Sequence, residues 1–258
     1  MNRTVRQLVA RLSGGLVLHR RLPARFGGAL LDVSPGAALA YFRSLDRPNW
    51  QDLYEFATHC VSPGDVVWDA GANLGVFGFA AAHCAGPAGQ VLTIEADPWL
   101  ATLMRRSAHR PRPGAAPVEV LCVAVTDRCD LQSFETPEWT RSGSHLSSSD
   151  GASESLVGRS IETHPVITVT MDWLCERRPP PAVLKIDVEG SELSVLQGAE
   201  VMLARHRPKI LLEVFDRSAG AVAELLHRHR YAMYDMSRGW NAREKISLPV
   251  YQTLALPE

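Results

Sequence analysis

Two carboxylates, each closing a strand-like run, carry the chemistry this chain advertises most plainly. Val66 to Phe79 reads VVWDAGANLGVFGF: an apolar run closed by Asp69, then a glycine loop, then residues that read as a helix start. Gly71 and Gly75 have no Cβ, so their backbone can pass close to a ligand, and the helix that follows would face that ligand with free N–H groups. Dinucleotide loops set a pyrophosphate at the helix N-terminus, where a carboxylate just before the loop would oppose its charge. S-adenosylmethionine has no phosphate and carries an ammonium and a sulfonium. It therefore suits the loop better, with Asp69 near its amino-acid end, Asn73 as a polar neighbour, and Gly71, Ala72 and Gly75 for clearance. The second carboxylate, Glu95, ends the strand-like VLTIE about 20 residues past Gly75, the spacing at which an acid accepts ribose hydroxyls. The competing structural reading makes the loop a plain strand-to-helix turn and Glu95 a cap on the helix near Pro98.

A third polar constellation is AVLKIDVEGSE, Ala182 to Glu192. Its strand, Val183 to Val188, holds the fourth β position of the pattern and would be central, where parallel strands are normally apolar. Lys185, Asp187 and Glu189 nevertheless recur at period two and so share one side if the strand extends that far. A lone buried lysine would shift its pKa or cost several kcal/mol, so Lys185 is expected to pair with a carboxylate such as Asp187 or Glu213. A structural ion-pair network without chemistry is the alternative. Gly190 permits a tight turn, and Ser191 to Arg205 fits one helix.

The elements that must position these groups alternate. Asp52 to Cys60 reads as a helix, Val66 to Ala70 as a strand, Leu74 to His83 as a helix, Val91 to Glu95 as a strand, and Pro98 to Arg110 as a helix. Val118 to Val125 reads as a third strand buried on both faces. It carries Ala124 into the cofactor wall beside Ala96, and the turn at Thr126 and Asp127 should converge on the same site. Such alternation calls for an α/β fold, a mostly parallel sheet with helices on both faces. At 258 residues and 46% hydrophobic content, the chain supports one substantial core.

A net charge of −1 offers no global field for nucleic acid, and no apolar run approaches a membrane span. Five cysteines without a C-x-x-C pair read as reduced thiols of a cytoplasmic protein. Residues 1–45 form a basic arm, in which Val5, Leu8, Val9, Leu12 and Leu16 fall at helical spacing. It reads as a helix packed on the domain, a membrane-surface segment or a lid; residues 46–258 are the catalytic domain. Residues 136 to 165 are serine-rich and aperiodic, either a lid over the acceptor with His145 inside it or a disordered surface loop. Val166 to Thr170 should pair with Leu131 to Phe134 as an antiparallel flap.

Taken together, VVWDAGANLGVF, TIEADP, ITVTMD and LKIDVEGSELSVLQGAE with HRPKILLEVF resemble the FkbM-type S-adenosylmethionine-dependent methyltransferases, from about Glu55 to Phe215. The resemblance implies a class I, Rossmann-like methyltransferase fold and O-methylation of a small-molecule hydroxyl on a sugar or natural-product scaffold. Asp69, Gly71, Asn73 and Gly75 would form the cofactor loop, Glu95 would hold the ribose, and Asp187 would stand at the methyl-transfer end. Trp68 departs from the small aliphatic residue usual before the loop aspartate, a change expected to touch packing only.

Methyl transfer to an alcohol needs in-line alignment and a group to accept the hydroxyl proton, worth roughly 10² to 10⁴ in rate. Asp187 is the first candidate, Glu189 the second, and His145 a third if the serine-rich segment closes. A divalent metal lowering the hydroxyl pKa is another route, although the acids show no diagnostic metal spacing. An NAD-linked oxidoreductase would share the loop and the ribose acid, but Asp69 and the absence of a Tyr-x-x-x-Lys pair oppose it. A glycosyltransferase would need a nucleotide-sugar site, and a non-catalytic scaffold would not need acids at 69, 95, 187 and 189.

Overall fold

The apolar runs form the middle of an eight-stranded sheet. In the computed structural model, residues 15–46, 50–137, 141–147 and 160–258 are described. In chain order the strands are β1 (Leu18–Arg21), β2 (Leu30–Val33), β3 (Val66–Ala70), β4 (Gln90–Ile94), β5 (Val118–Leu121), β6 (Ala124–Val125), β7 (Asp130–Pro137), β8 (His145–Leu146), β9 (Ser160–Val169), β10 (Val183–Ile186), β11 (Lys209–Glu213), β12 (Tyr231–Asp235), β13 (Glu244–Ile246) and β14 (Gln252–Pro257). The helices are α1 (Gln51–Cys60), α2 (Val76–Ala85), α3 (Pro98–Ala108), α4 (Met171–Cys175), α5 (Glu192–Gln197), α6 (Glu200–Arg205) and α7 (Ala219–Arg228).

The large sheet runs β13-β12-β14-β11-β10-β3-β4-β5. Neighbours from β11 to β5 are parallel, while β14 is antiparallel to both β11 and β12. Chain order moves outward one way from β3 and the other way from β10, so their carboxyl ends flank the crevice where ligands bind in open α/β sheets. Successive strand residues serve opposite faces. Val67, Val91 and Val183 join the core beneath α1, α2 and α3, whereas Trp68, Leu92 and Leu184 join the core beneath α4 to α7. Two covered faces explain why these strands read as unbroken apolar runs. Trp68 is a packing residue in the second core, as its position predicted.

Several boundaries differ from the sequence reading. Val118 to Val125 is not one buried strand. Its first half is the sheet edge, with Glu119 exposed, and Ala124–Val125 turns away to pair with β9 in a separate four-stranded sheet, β6-β9-β7-β8. That small sheet contains the expected antiparallel flap, with Leu131 opposite Ile167 and Phe134 opposite His164, and its strands extend to Pro137 and from Ser160. Strand structure therefore occupies both ends of the serine-rich segment, whose residues 138–140 and 148–159 lie outside the described ones. The single helix expected from Ser191 to Arg205 is two, broken after Gly198. A Cβ on Gly198 would meet the Thr126 carbonyl oxygen at 2.2 Å, and Asp172 accepts hydrogen bonds from the Val201 and Met202 amides to start α6 afresh.

The described part of the basic arm is not α-helical. β1 and β2 form an antiparallel hairpin whose Leu22, Phe26, Leu31 and Val33 enter the first core. Asp32, fully buried, clasps it to α3 through Arg106 and a Ser107 hydroxyl that accepts the Asp32 amide, and to the turn after α3 through Arg110. The helical spacing from Val5 to Leu12 lies outside the described residues. No helix among the described residues is long and apolar enough to cross a membrane.

The cap of α3 is Asp97, which accepts from the Trp99 and Leu100 amides and is bonded by Arg141 from the flap. Asp97→Ala should lower unfolding free energy by about 1–2 kcal/mol, read from the urea midpoint.

Candidate active site

The crevice is organised by a buried lysine. β10 lies in register beside β3 with Lys185 opposite Asp69, both facing the α2 side. The three donors of the Lys185 ammonium reach Asp187 Oδ2 at 3.1 Å, the Gly71 carbonyl at 3.1 Å and Asp69 Oδ1 at 3.3 Å. The other Asp69 oxygen accepts the Gly78 amide at 3.0 Å, in the first turn of α2. Strand, glycine loop and helix are thus tied to one cation that is only 4% exposed. Burial alone would push Lys185 down, but Asp187, Asp69 and Glu213 outweigh it and hold the ammonium above its ordinary pKa. Asp69 is pushed up by burial, which Lys185 and the Gly78 amide oppose. Glu213 acts only through its field; the bonded carboxylates are Asp69 and Asp187.

The glycines of the loop serve the protein itself. Gly71 has φ 69°, and a Cβ there would stand 1.7 Å from the Asp187 carbonyl oxygen, so the loop crosses the end of β10 at backbone contact. Gly75, at φ 79°, starts α2, and its missing Cβ leaves room for the Phe79 ring; it does not line the crevice. Asp69 likewise shapes the loop, with one oxygen accepting the Gly78 amide and the other ion-paired with Lys185, and it lines the cavity at the end where the sequence suggested contact with the ligand's amino-acid group.

Beyond the strand ends lies a cavity of about 290 Å³. Of the predicted cofactor residues, Asp69, Gly71, Ala72, Asn73, Glu95, Ala96 and Ala124 line it, joined by Lys185, Asp187 and Glu189. Glu95 is oriented rather than idle. One oxygen accepts the Asn73 amide and the other the Asp97 amide, each at 2.8 Å, while the helix cap falls to Asp97. Each carboxylate oxygen keeps a second acceptor site. Burial pushes the Glu95 carboxyl up to about 8, a cost that hydroxyl donors from a ligand would reduce.

At the other end, β10 stops at Ile186, so Glu189 does not continue the period-two row. It sits at φ 51° in a turn with Gly190 at φ 96°. Glu192 builds that turn by accepting the Val188 and Gly190 amides. Glu189 has no hydrogen bond or ion pair among the described residues, and burial with Asp187 and Glu213 nearby raises it to about 8. Glu213, at the end of β11, is bonded by Tyr251 and raised to about 7, burial first and Asp187 second.

His145 does not reach the cavity. Ser144 and Leu146 line it, and His145, which alternates to the other side of β8, bonds the Gly143 carbonyl at 3.0 Å. Thr126 and Asp127 are also turned away; Val123, Ala124 and Val125 provide that wall. Sequence reasoning missed Tyr41, Trp50, Phe134, Arg141 and Tyr251, which line the cavity from the N-terminal segment, the flap and the bend just before β14. Tyr41 donates to the Asn73 side chain at 3.2 Å. Their aromatic and basic types bear no motif spacing. Among the described residues no group of three or more His, Cys, Asp or Glu is arranged to hold a metal.

A glycine loop after β3, an oriented acid after β4 and a reversed strand inserted beside β11 give the chain the class I methyltransferase architecture. A solved FkbM methyltransferase from Methylobacillus flagellatus shares it, with a TM-score of 0.51 and 15% identity over 98% of this chain and 58% of that one. Residues 69–236 match the methyltransferase FkbM domain, and the chain belongs to that family. Hexuronic acid methyltransferase AglP of Haloferax volcanii is 29% identical over 159 residues, 61% of this chain and 59% of the relative. The chain thus spans less than two thirds of the length of either protein.

Lys185→Met should cost about 3–5 kcal/mol in urea unfolding, because it strands Asp69 and Asp187 without their cation. Glu189 is raised in the folded protein, so the stability it contributes is full below about pH 4.5 and lost as pH rises through about 8. Glu189→Gln should therefore melt above wild type at pH 9, with the gap closing at pH 5 in a thermal-melt series.

Proposed function

We propose that this chain is an S-adenosylmethionine-dependent O-methyltransferase acting on a hydroxyl of a sugar or a natural-product scaffold. The observation that carries the reading is one cavity bounded by the oriented Glu95 at one end and by Asp187 and Glu189 at the other. Glu95 fits a ribose: its two oxygens are fixed by backbone amides and face a space with further acceptor capacity. The crossing at Gly71 and the wall of Ala72, Ala96 and Ala124 leave room for an adenosyl group, and the acids around Asp187 suit a cationic sulfonium.

The cofactor would supply an electrophilic methyl group. The residues of the chain then have two tasks. Lys185 fixes Asp187 at 3.1 Å, so the carboxylate that receives the acceptor hydroxyl is held in one place. Asp187 takes the hydroxyl proton as the new C–O bond forms, and Glu189, unpaired in the same cavity, is the second candidate for that role. The relative that methylates hexuronic acid supports a sugar acceptor.

Asp187→Asn should cut labelled-methyl transfer by about 10²-fold or more while S-adenosylhomocysteine affinity stays within a few fold; near-normal turnover would eliminate the assignment. Glu95→Ala should weaken S-adenosylhomocysteine binding at least tenfold by calorimetry, and wild type should bind this ligand and not NAD. Preference for NAD would favour the oxidoreductase reading.

A further inference from the structure

A second cavity, of about 320 Å³, opens at the other end of the sheet and shares no lining residue with the first. The β1–β2 hairpin, the face of α2 at Phe79 and His83, and the Arg110–Pro113 segment leading toward β5 enclose it. Its ionisable lining is Arg21, Arg110, Arg112 and His83, with no carboxylate.

The cations there outnumber their counterions. Asp32 is the acid in contact with this group, and its one charge is shared by Arg106, Arg110 and His19. Among the described residues, the Arg21 side chain reaches only the Gly28 carbonyl, at 3.0 Å, and its backbone joins the hairpin ladder. Arg112 is the anomaly. Its guanidinium lies 5.0 Å from the centre of the Phe79 ring and makes one hydrogen bond, to the Ala108 carbonyl, while its Nε and Nη1 are buried without an acceptor. The Arg112 side chain is half-buried, and buried guanidinium donors without an acceptor mark a place where an anion or water completes the structure. In a chain of net charge −1, four arginines against one carboxylate form a local surplus. Gly28, at φ 61°, stands on the rim with open space where a Cβ would be, so a ligand can approach the backbone there.

We propose that this cavity is a binding site for a phosphate group, recognised by Arg21, Arg110 and Arg112. Guanidinium forks match the oxygens of a phosphate, and a dianion answers a surplus that a single carboxylate would only partly neutralise. The phosphate is either free in solution or the headgroup of an anionic lipid, the second being continuous with the basic arm of residues 1–45.

Calorimetry with inorganic phosphate and pyrophosphate, and sedimentation with phosphatidylcholine vesicles with and without phosphatidic acid, separate the two sources. Saturable phosphate binding in the wild type should fall at least tenfold in Arg21→Ala and Arg112→Ala, with melting temperature as the control for folding. Gly28→Asp, which sets a carboxylate on the rim in a conformation aspartate tolerates, should weaken binding without touching any arginine. Vesicle binding lost in the same variants assigns the phosphate to lipid; phosphate binding without vesicle binding assigns it to a soluble ligand. Absence of saturable phosphate and vesicle binding in the wild type, or binding unchanged by all three substitutions, overturns the proposal.

Discussion

One ammonium holds the site together. Lys185 sits on a central strand where an apolar residue is the rule, and its three donors join the end of β10, β3 and the glycine loop. The arrangement is stable only as a set. Asp69 and Asp187 without Lys185 would be carboxylates forced into a low dielectric, and Lys185 without them would be driven toward neutrality. Because Asp69 also accepts the Gly78 amide, the same knot fixes where α2 begins. The glycine loop is therefore positioned from beneath by charge and from the side by the backbone contact that only Gly71 allows.

From that knot the two ends of the cavity follow. The loop carries the Asn73 amide to Glu95, which turns a buried acid into an aimed one. On the other side β10 ends just past Lys185, and the left-handed turn at Glu189 and Gly190, built by Glu192, leaves Glu189 unpaired beside Asp187 and Glu213. Three acids near one cation cannot all ionise cheaply, and burial raises Glu189 and Glu213 toward neutrality. A cofactor with a sulfonium would relieve that crowding, as the proposed function requires at this end.

The central strands β3, β4 and β10 were legible because a parallel sheet covered on both faces writes itself as apolar runs, and Asp69, Glu95 and Lys185 stood out as charges closing or interrupting such runs. What the sequence concealed depends on contacts between distant segments. The departure of Ala124–Val125 into the flap sheet leaves no mark on VEVLCVAV, and the break at Gly198 is imposed by the Thr126 carbonyl far away in the chain. Period two placed Glu189 on a strand that had already ended. His145 was attractive as a titratable group in a serine-rich segment, yet strand alternation turns it away from the cavity that its neighbours line. Tyr41, Arg141 and Tyr251 are single residues brought in by the segment after the hairpin, the flap and the bend before the last strand, and nothing in their local sequence signals it.

A crystal structure of the protein with S-adenosylhomocysteine tests the central claim most directly. Both ribose hydroxyls are expected on the Glu95 carboxylate, the adenine along Ala96 and Ala124, and the sulfur facing Asp187, with the Lys185 contacts unchanged. A ligand bound away from Glu95, or a loop that must release Lys185 to admit it, would rule out this site as the cofactor's.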